Sequence, residues 1–322
     1  MAQLGTQPFC YVVEPDWGRL PDGLIVGDVA GIAIDGNDNV YIFNRGDHPM
    51  IVLDRHGSII RTWGEGVFTR PHGVHVGHDG YVYCTDDGDH TVRKFTVTGV
   101  ALLQIGIVRQ AATAMSGNPF NRCTHTALAP GGEIYISDGY GNAHVHLYSA
   151  DGRHLRTWGG GGSEPGQFNL PHNICCDEDG WVYVADRENN RVQIFDGRGQ
   201  FETQWTGLRR PCAMCIEPRR RGNLYIGELA VFCPLELLPV DEGPRLSVIA
   251  RDGHIEARLG GRGPGLSPTE LFAPHGIAVD SLGNIFLGEV IAATWGHYFP
   301  GRSLPAKIKA FRKLTRVSAT SF

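Results

Sequence analysis

Residues 173–207 read NICCDEDGWVYVADRENNRVQIFDGRGQFETQWTG. An apolar run meets an Asp-Gly turn, and a second apolar run ends on Asp186. A polar turn, a third run ending in Phe195, a glycine turn and a fourth run complete the unit. Residues 73–106, GVHVGHDGYVYCTDDGDHTVRKFTVTGVALLQIG, follow the same frame, as do residues 31–64 and 126–159. Two interrupted copies follow. MCIEPRRRGNLYIGE (214–228) continues in RLSVIARDGHIEARLG (245–260), and GIAVDSLGNIFLGE (276–289) in KIKAFRKL (307–314). A four-strand unit repeated at this spacing cannot bury both faces alone, and stacking such units in a ring is the β-propeller solution. The chain is therefore predicted to be all-β: one six-bladed propeller domain with blades at about 29–64, 70–106, 122–160, 170–207, 210–261 and 272–316. The sixth copy lacks a clear fourth strand. CYVVEPDWG (10–18) resembles the outer strand IIRTWG (59–64), so a strand within about 9–18 is expected to complete the last blade and close the ring.

Bulk properties agree with this reading and exclude several functions. The 322 residues are 42% hydrophobic and include 44 glycines, as many tight turns require. The formal net charge is −5 and the one dense basic run, EPRRRG (217–222), is short, so no nucleic-acid partner is expected. No apolar window is long enough to span a membrane, and the first residues lack the pattern of a secretory signal. Eight cysteines without such a signal read as buried thiols, and the compartment expected is the cytoplasm. Cys212-Ala-Met-Cys215 has CxxC spacing but no second pair to complete a zinc site.

Pro-His opens the inner strand of three blades, in RPHGVHV (70–76), LPHNICC (170–176) and APHGIAV (273–279). The residue just before the first inner strand runs Ala30, His72, Thr124, His172, Cys212, His275 through the six copies. Alternate blades of a six-fold ring lie a third of a turn apart, so three imidazoles at one depth can converge on the channel. Three histidines with open positions beyond them commonly hold catalytic zinc; imidazole also suits iron, copper, nickel or cobalt, so the ligand set leaves iron, manganese and other divalent metals open. The alternative is that each histidine caps its own strand, donating to a neighbouring carbonyl. A second slot, after the second strand, holds Arg45, Asp86, Asp138, Asp186, Glu228 and Glu289, where acidic groups suit turn amides or neighbouring blades. His125, one residue past the first slot, and His297, in the insertion TWGHYFPGR (294–302), are further candidates for lining the pocket.

DRENNRVQIF (186–195) after DEDGWVYVA (177–185) resembles the NHL repeat. The ordered set VAGIAID (29–35), IFNRGDH (42–48), RPHGV (70–74), ISDGYGN (136–142), GQFNLPHNI (166–174), VADRENNRVQIF (184–195) and APHGIAV (273–279) resembles the catalytic core of peptidyl-α-hydroxyglycine α-amidating lyases. The resemblance implies one divalent metal on His72, His172 and His275, zinc foremost. It also implies Arg45 as the anchor of a substrate carboxylate and Tyr140 as the catalytic base. The substrate implied is a small molecule with a carboxylate and a hydroxyl, cleaved at its C–N bond to an amide and glyoxylate.

The chain departs from that family at three places. Ala273 replaces a methionine two residues before the third metal histidine. Gly276 replaces the aspartate that serves a structural calcium, so calcium lacks its ligand here. The tyrosine turn, GYGN (139–142), has no cysteine to pair with Cys123. Glu228 and Glu289, each followed by an insertion, are candidates for reshaping the pocket. Two other functions stay open: a hydrolase or hydratase using metal-bound water with Glu228 or Glu289 as base, and a non-catalytic NHL propeller that binds a protein or peptide.

Overall fold

A computed structural model describes residues 2–14 and 16–317; Pro15, inside the expected N-terminal strand, lies outside the described residues. Six antiparallel sheets form the blades. Blade 4 shows the pattern, with strands Pro171–Cys176, Val182–Asp186, Arg191–Phe195 and Phe201–Trp205 running from the channel outward. The inner strand of each blade packs beside that of the next, and the sixth, Pro274–Val279, packs against the first, Val29–Ile34. In the sixth blade Phe311–Arg316 is the third strand, and Tyr11–Glu14 pairs antiparallel with it from the other end of the chain. Gln3–Leu4 adds a short fifth strand outside that one.

Local chemistry sets the repeat. Between first and second strands, or third and fourth, an aspartate accepts the amides two and four residues on, as Asp54, Asp177, Asp196 and Asp280 each do. Such Asx turns favour tight reversal over continued strand. Apolar residues of adjacent blades fill the gaps between sheets: Val182 and Val184 meet Ala127 and Val145, for example. Tryptophans near the outer strands fasten one blade to the next. Trp158 lies so close to Gly199 of blade 4 that a Cβ there would stand 2.6 Å from the indole, and Gly199 also turns at φ +79°. Trp205 meets Gly253 of blade 5 in the same way, and Trp17 of the closing strand region meets Gly57 of blade 1.

In every blade but the third, where Thr124 stands just before His125–Leu128, the first slot sits inside the inner strand rather than just before it. His72, His172 and His275 are each the second residue of a strand, and the ladder register shifts there: between Pro71 and Val74, Pro171 and Asn173, and Pro274 and Gly276. A β-bulge frees its extra residue from the ladder and re-aims its side chain. That is how an ordinary strand end points an imidazole along the channel.

The second slot also needs a correction. The register pairs Val29 with Asn44, Pro71 with Asp86, Pro171 with Asp186, Pro211 with Glu228 and Pro274 with Glu289. Asn44, not Arg45, is therefore the equivalent of the acidic residues, and its side-chain oxygen accepts the amides of Gly27 and Gly46. Arg45 lies one residue further on, in the position of Asp87 and Arg187.

Candidate metal centre

The three slot histidines come together. Their ring centroids lie 4.7, 4.8 and 4.9 Å apart, close to an equilateral triangle, and one ligand atom from each lies within 4.8 Å of the others. All three are buried. Each Nδ1 donates to the carbonyl of the slot residue in the next blade: His72 to Thr124 at 2.7 Å, His172 to Cys212 at 2.7 Å, and His275 to Ala30 at 2.6 Å. The histidine slots thus alternate with slots that supply the carbonyls. A carbonyl on Nδ1 fixes the tautomer and leaves the Nε2 lone pair free, which is the arrangement found behind metal-bound imidazoles. Desolvation, above all, holds the three rings well below the ordinary histidine pKa, with Arg45 adding to this at His72 and His275 and Arg187 at His172. Neutral imidazole is the form that ligates. The cluster can hold a metal.

Tyr140 stands beside it. Its hydroxyl lies 3.1 Å from His72 Nε2 and 3.0 Å from His172 Nε2 and donates to one of them at a time. Burial pushes the phenol up from the ordinary tyrosine value, while the Arg187 and Arg45 charges act the other way. The ring is flanked by cations, with the Arg122 guanidinium 4.5 Å and that of Arg187 5.6 Å from its centroid. Arg45 is largely buried at the same mouth. Its Nε donates to the Pro71 carbonyl at 3.2 Å, and Asp28 lies 3.7 Å from its terminal nitrogen. Asp28 also accepts the amides of Ala292 and Ala293, at the start of the helix Ile291–Tyr298. The insertion after Glu289 is thereby fastened to Arg45.

Other expected site residues lie elsewhere. The Glu228 carboxylate is filled by the Arg209 amide, Arg245 and Ser247, and that of Glu289 by the Phe272 amide and Arg312. Both are fully buried with these partners, so neither faces the histidines as a base or substrate contact. His297 stacks on Phe232 of the other insertion at 4.3 Å, with the rings 4° from parallel, and Arg210 covers Phe232 at 4.1 Å. The two insertions therefore meet each other, and His297 remains exposed on that outer layer. At Gly276 a Cβ would stand 2.7 Å from the Ile32 amide, so the backbone leaves no room for a side chain there. All eight cysteines are free; Cys212 Sγ lies 3.4 Å from His172 Nδ1, whereas Cys215 packs in the seam between blades 5 and 6.

His125 lines a cavity of about 500 Å³, formed by the far ends of the inner strands (Ile34, Val76, Ile216 and Val279 among them), away from the histidine slots. Desolvation brings His125 down to about 4 and His75, in the same cavity, down to about 3. In the unfolded chain both titrate near 6.5, so the stability each neutral ring contributes is complete above that pH and is lost as pH falls toward 4. Urea unfolding at pH 5 is expected to show a loss of order 1–2 kcal/mol per histidine relative to pH 7.5. The loss should shrink by one histidine's share in His125→Gln, since His72, His172 and His275 add losses of the same sign; an unchanged slope would mean other groups carry it.

Sequence reasoning passed over Arg187, Arg122 and Asp87. Arg187 occupies the register position of Arg45 in blade 4, and counting from the strand pairing rather than from the first charged residue exposes that equivalence. Glu188 bridges Arg187, at 2.8 Å, to Arg210, at 2.9 Å, so the guanidinium beside Tyr140 is held from behind.

The NHL-repeat family model matches residues 168–195, blade 4 from just before its inner strand through its third strand. With six sheets in a ring, the chain is a six-bladed β-propeller whose fourth blade carries an NHL-repeat match. It is similar to peptidyl-α-hydroxyglycine α-amidating lyase 1 of Drosophila melanogaster, 31% identical over an alignment of 254 residues, with 67% of this chain and 47% of that protein covered. It thus spans about half the length of that lyase. Human NHL repeat-containing protein 3 is 29% identical over 313 residues, 92% of this chain and 86% of that protein. Among solved structures, virginiamycin B lyase from Staphylococcus aureus superposes with a TM-score of 0.56 at 14% identity, over 90% of this chain and 95% of that one, a likeness of fold. No helix among the described residues is long and apolar enough to cross a membrane.

Proposed function

We propose that the chain is a metal-dependent lyase acting on a small N-acyl-α-hydroxyglycine-like molecule, cleaving the C–N bond to release an amide and glyoxylate. The observation that carries this reading is the convergence of three buried, carbonyl-braced imidazoles on one point, with the Tyr140 hydroxyl hydrogen-bonded to two of them. The similarity to amidating lyases supports it. The donor set fits a divalent transition metal, zinc first, which would supply Lewis acidity toward the substrate hydroxyl. Arg45 binds the substrate carboxylate through its planar fork and so aligns the carbinol carbon with the cluster. Tyr140 takes the hydroxyl proton, its phenolate form favoured by the Arg187 and Arg45 charges, which act against burial. As the carbonyl forms, the C–N electron pair leaves with nitrogen, which receives a proton in turn. The substrate is split with no change in redox state and no covalent bond to the protein.

A hydrolase reading loses its base, because Glu228 and Glu289 are held in ion pairs. Product analysis with zinc-loaded protein and α-hydroxyhippurate tests the reaction. Equimolar glyoxylate and benzamide are expected. Benzoate instead would mean hydrolysis, and no turnover of this or of aliphatic N-acyl-α-hydroxyglycines would remove the lyase assignment.

A further inference from the structure

Two arginines at the mouth have no role in that reaction. Arg70, just before the blade 2 inner strand, and Arg122, just before that of blade 3, both bind one carboxylate, Asp87. Asp87 is fully buried, and the same oxygen, Oδ2, accepts from both guanidiniums, Arg122 at 2.7 Å. Its other oxygen has no protein partner among the described residues. For each guanidinium, Oδ2 is the only protein acceptor among the described residues, although each carries five N–H donors. Both side chains are about two-fifths exposed, 38% for Arg70 and 42% for Arg122. Arg187 and Arg210 differ, being buried and held from behind by Glu188.

Placement joins this pair to the candidate site. Arg122 lies over the Tyr140 ring at 4.5 Å. The Arg70 charge reaches both Arg45 and His72. The neighbouring Asp86 faces inward, accepting the amides of Thr69, Arg70 and Gly88, so it fixes the backbone that carries Arg70 without covering the guanidinium. Two cations on one buried carboxylate leave a net positive charge with unused, forked donors. A carboxylate is the ligand that such donors match bidentately.

We propose that Arg70 and Arg122, clamped by Asp87, form a second anion subsite, and that the substrate is a hydroxy acid with a second carboxylate on its acyl portion. This rests on the lyase reading for the word substrate, but the subsite is testable without turnover. Titration calorimetry on the zinc-loaded full chain would compare glycolate with two hydroxydicarboxylates, malate and 2-hydroxyglutarate, and with inorganic phosphate. A charge-assisted hydrogen bond is worth about tenfold or more in affinity. Wild type is therefore expected to bind at least one dicarboxylate about tenfold or more tighter than glycolate. That ratio should fall toward one in Arg70→Gln/Arg122→Gln. Equal affinities in wild type would overturn the proposal, and so would a preference that persists in the double variant. Tighter binding of phosphate than of either dicarboxylate would also overturn it, by assigning the subsite to a different anion. The wild-type series decides the matter even if the variant does not fold. Because no product is read, an inactive protein with the dicarboxylate preference would sink only the lyase reading.

Discussion

Replacing His172 by alanine is expected to abolish stoichiometric metal binding while leaving the propeller folded. Wild type loaded with zinc and desalted should carry about one metal per chain by plasma mass spectrometry, on the three-ligand logic of such sites. The variant should carry little, with affinity lowered more than the ~10–100-fold that loss of an outer-shell partner typically costs. The reason is geometric. The three Nε2 atoms converge from alternate blades, and no other side chain among the described residues completes the cluster. The carbonyl of Cys212 that braces His172 is backbone and cannot substitute for the ring. His56→Ala, at an exposed turn, controls for general histidine loss. Undiminished metal in folded His172→Ala, or metal-free wild type after incubation with zinc, iron or manganese, would remove the trigonal site.

Tyr140→Phe is expected to lower kcat on the best substrate by about 10²–10⁴-fold, the usual contribution of a positioned acid–base group. Phenylalanine keeps a ring beside Arg122 and Arg187, so the cation–π contacts and the local fold survive. What goes is the oxygen that stands 3.0–3.1 Å from two of the imidazoles. KM should change little, because the proposed reaction assigns the substrate carboxylate to Arg45 and not to Tyr140. A kcat within about threefold of wild type, with unchanged metal content, would show that Tyr140 is not the proton acceptor.

Both predictions depend on residues that are legible in the amino-acid sequence, and for the histidines the reason is the repeat. Six copies in register make every deviation visible, so Pro-His at alternate copies stands out. Tyr140 came instead from the resemblance of one turn. The bulge was not visible: Pro71-His72-Gly73 reads as an ordinary strand start, and only the shifted pairing shows why the ring leaves the ladder. Counting one residue too far placed Arg45 among the acidic residues and hid its equivalence to Arg187. Glu228 and Glu289 looked available because their partners, Arg245 and Arg312, lie 17 and 23 residues away across the insertions.

Apolar alternation, turn chemistry and spacing along one chain were enough to set the number of blades, the strand order within them, the closing N-terminal strand and the three histidines. Three-dimensional packing was needed to establish which carbonyl fixes each imidazole, which carboxylates are already paired and which arginines remain open at the mouth. Those outcomes depend on contacts between blades, such as His72 with Thr124 or Arg122 with Asp87, whose partners lie 52 and 35 residues apart. Local pattern carries no information about pairings at that range until the ring closes and brings them within hydrogen-bonding distance.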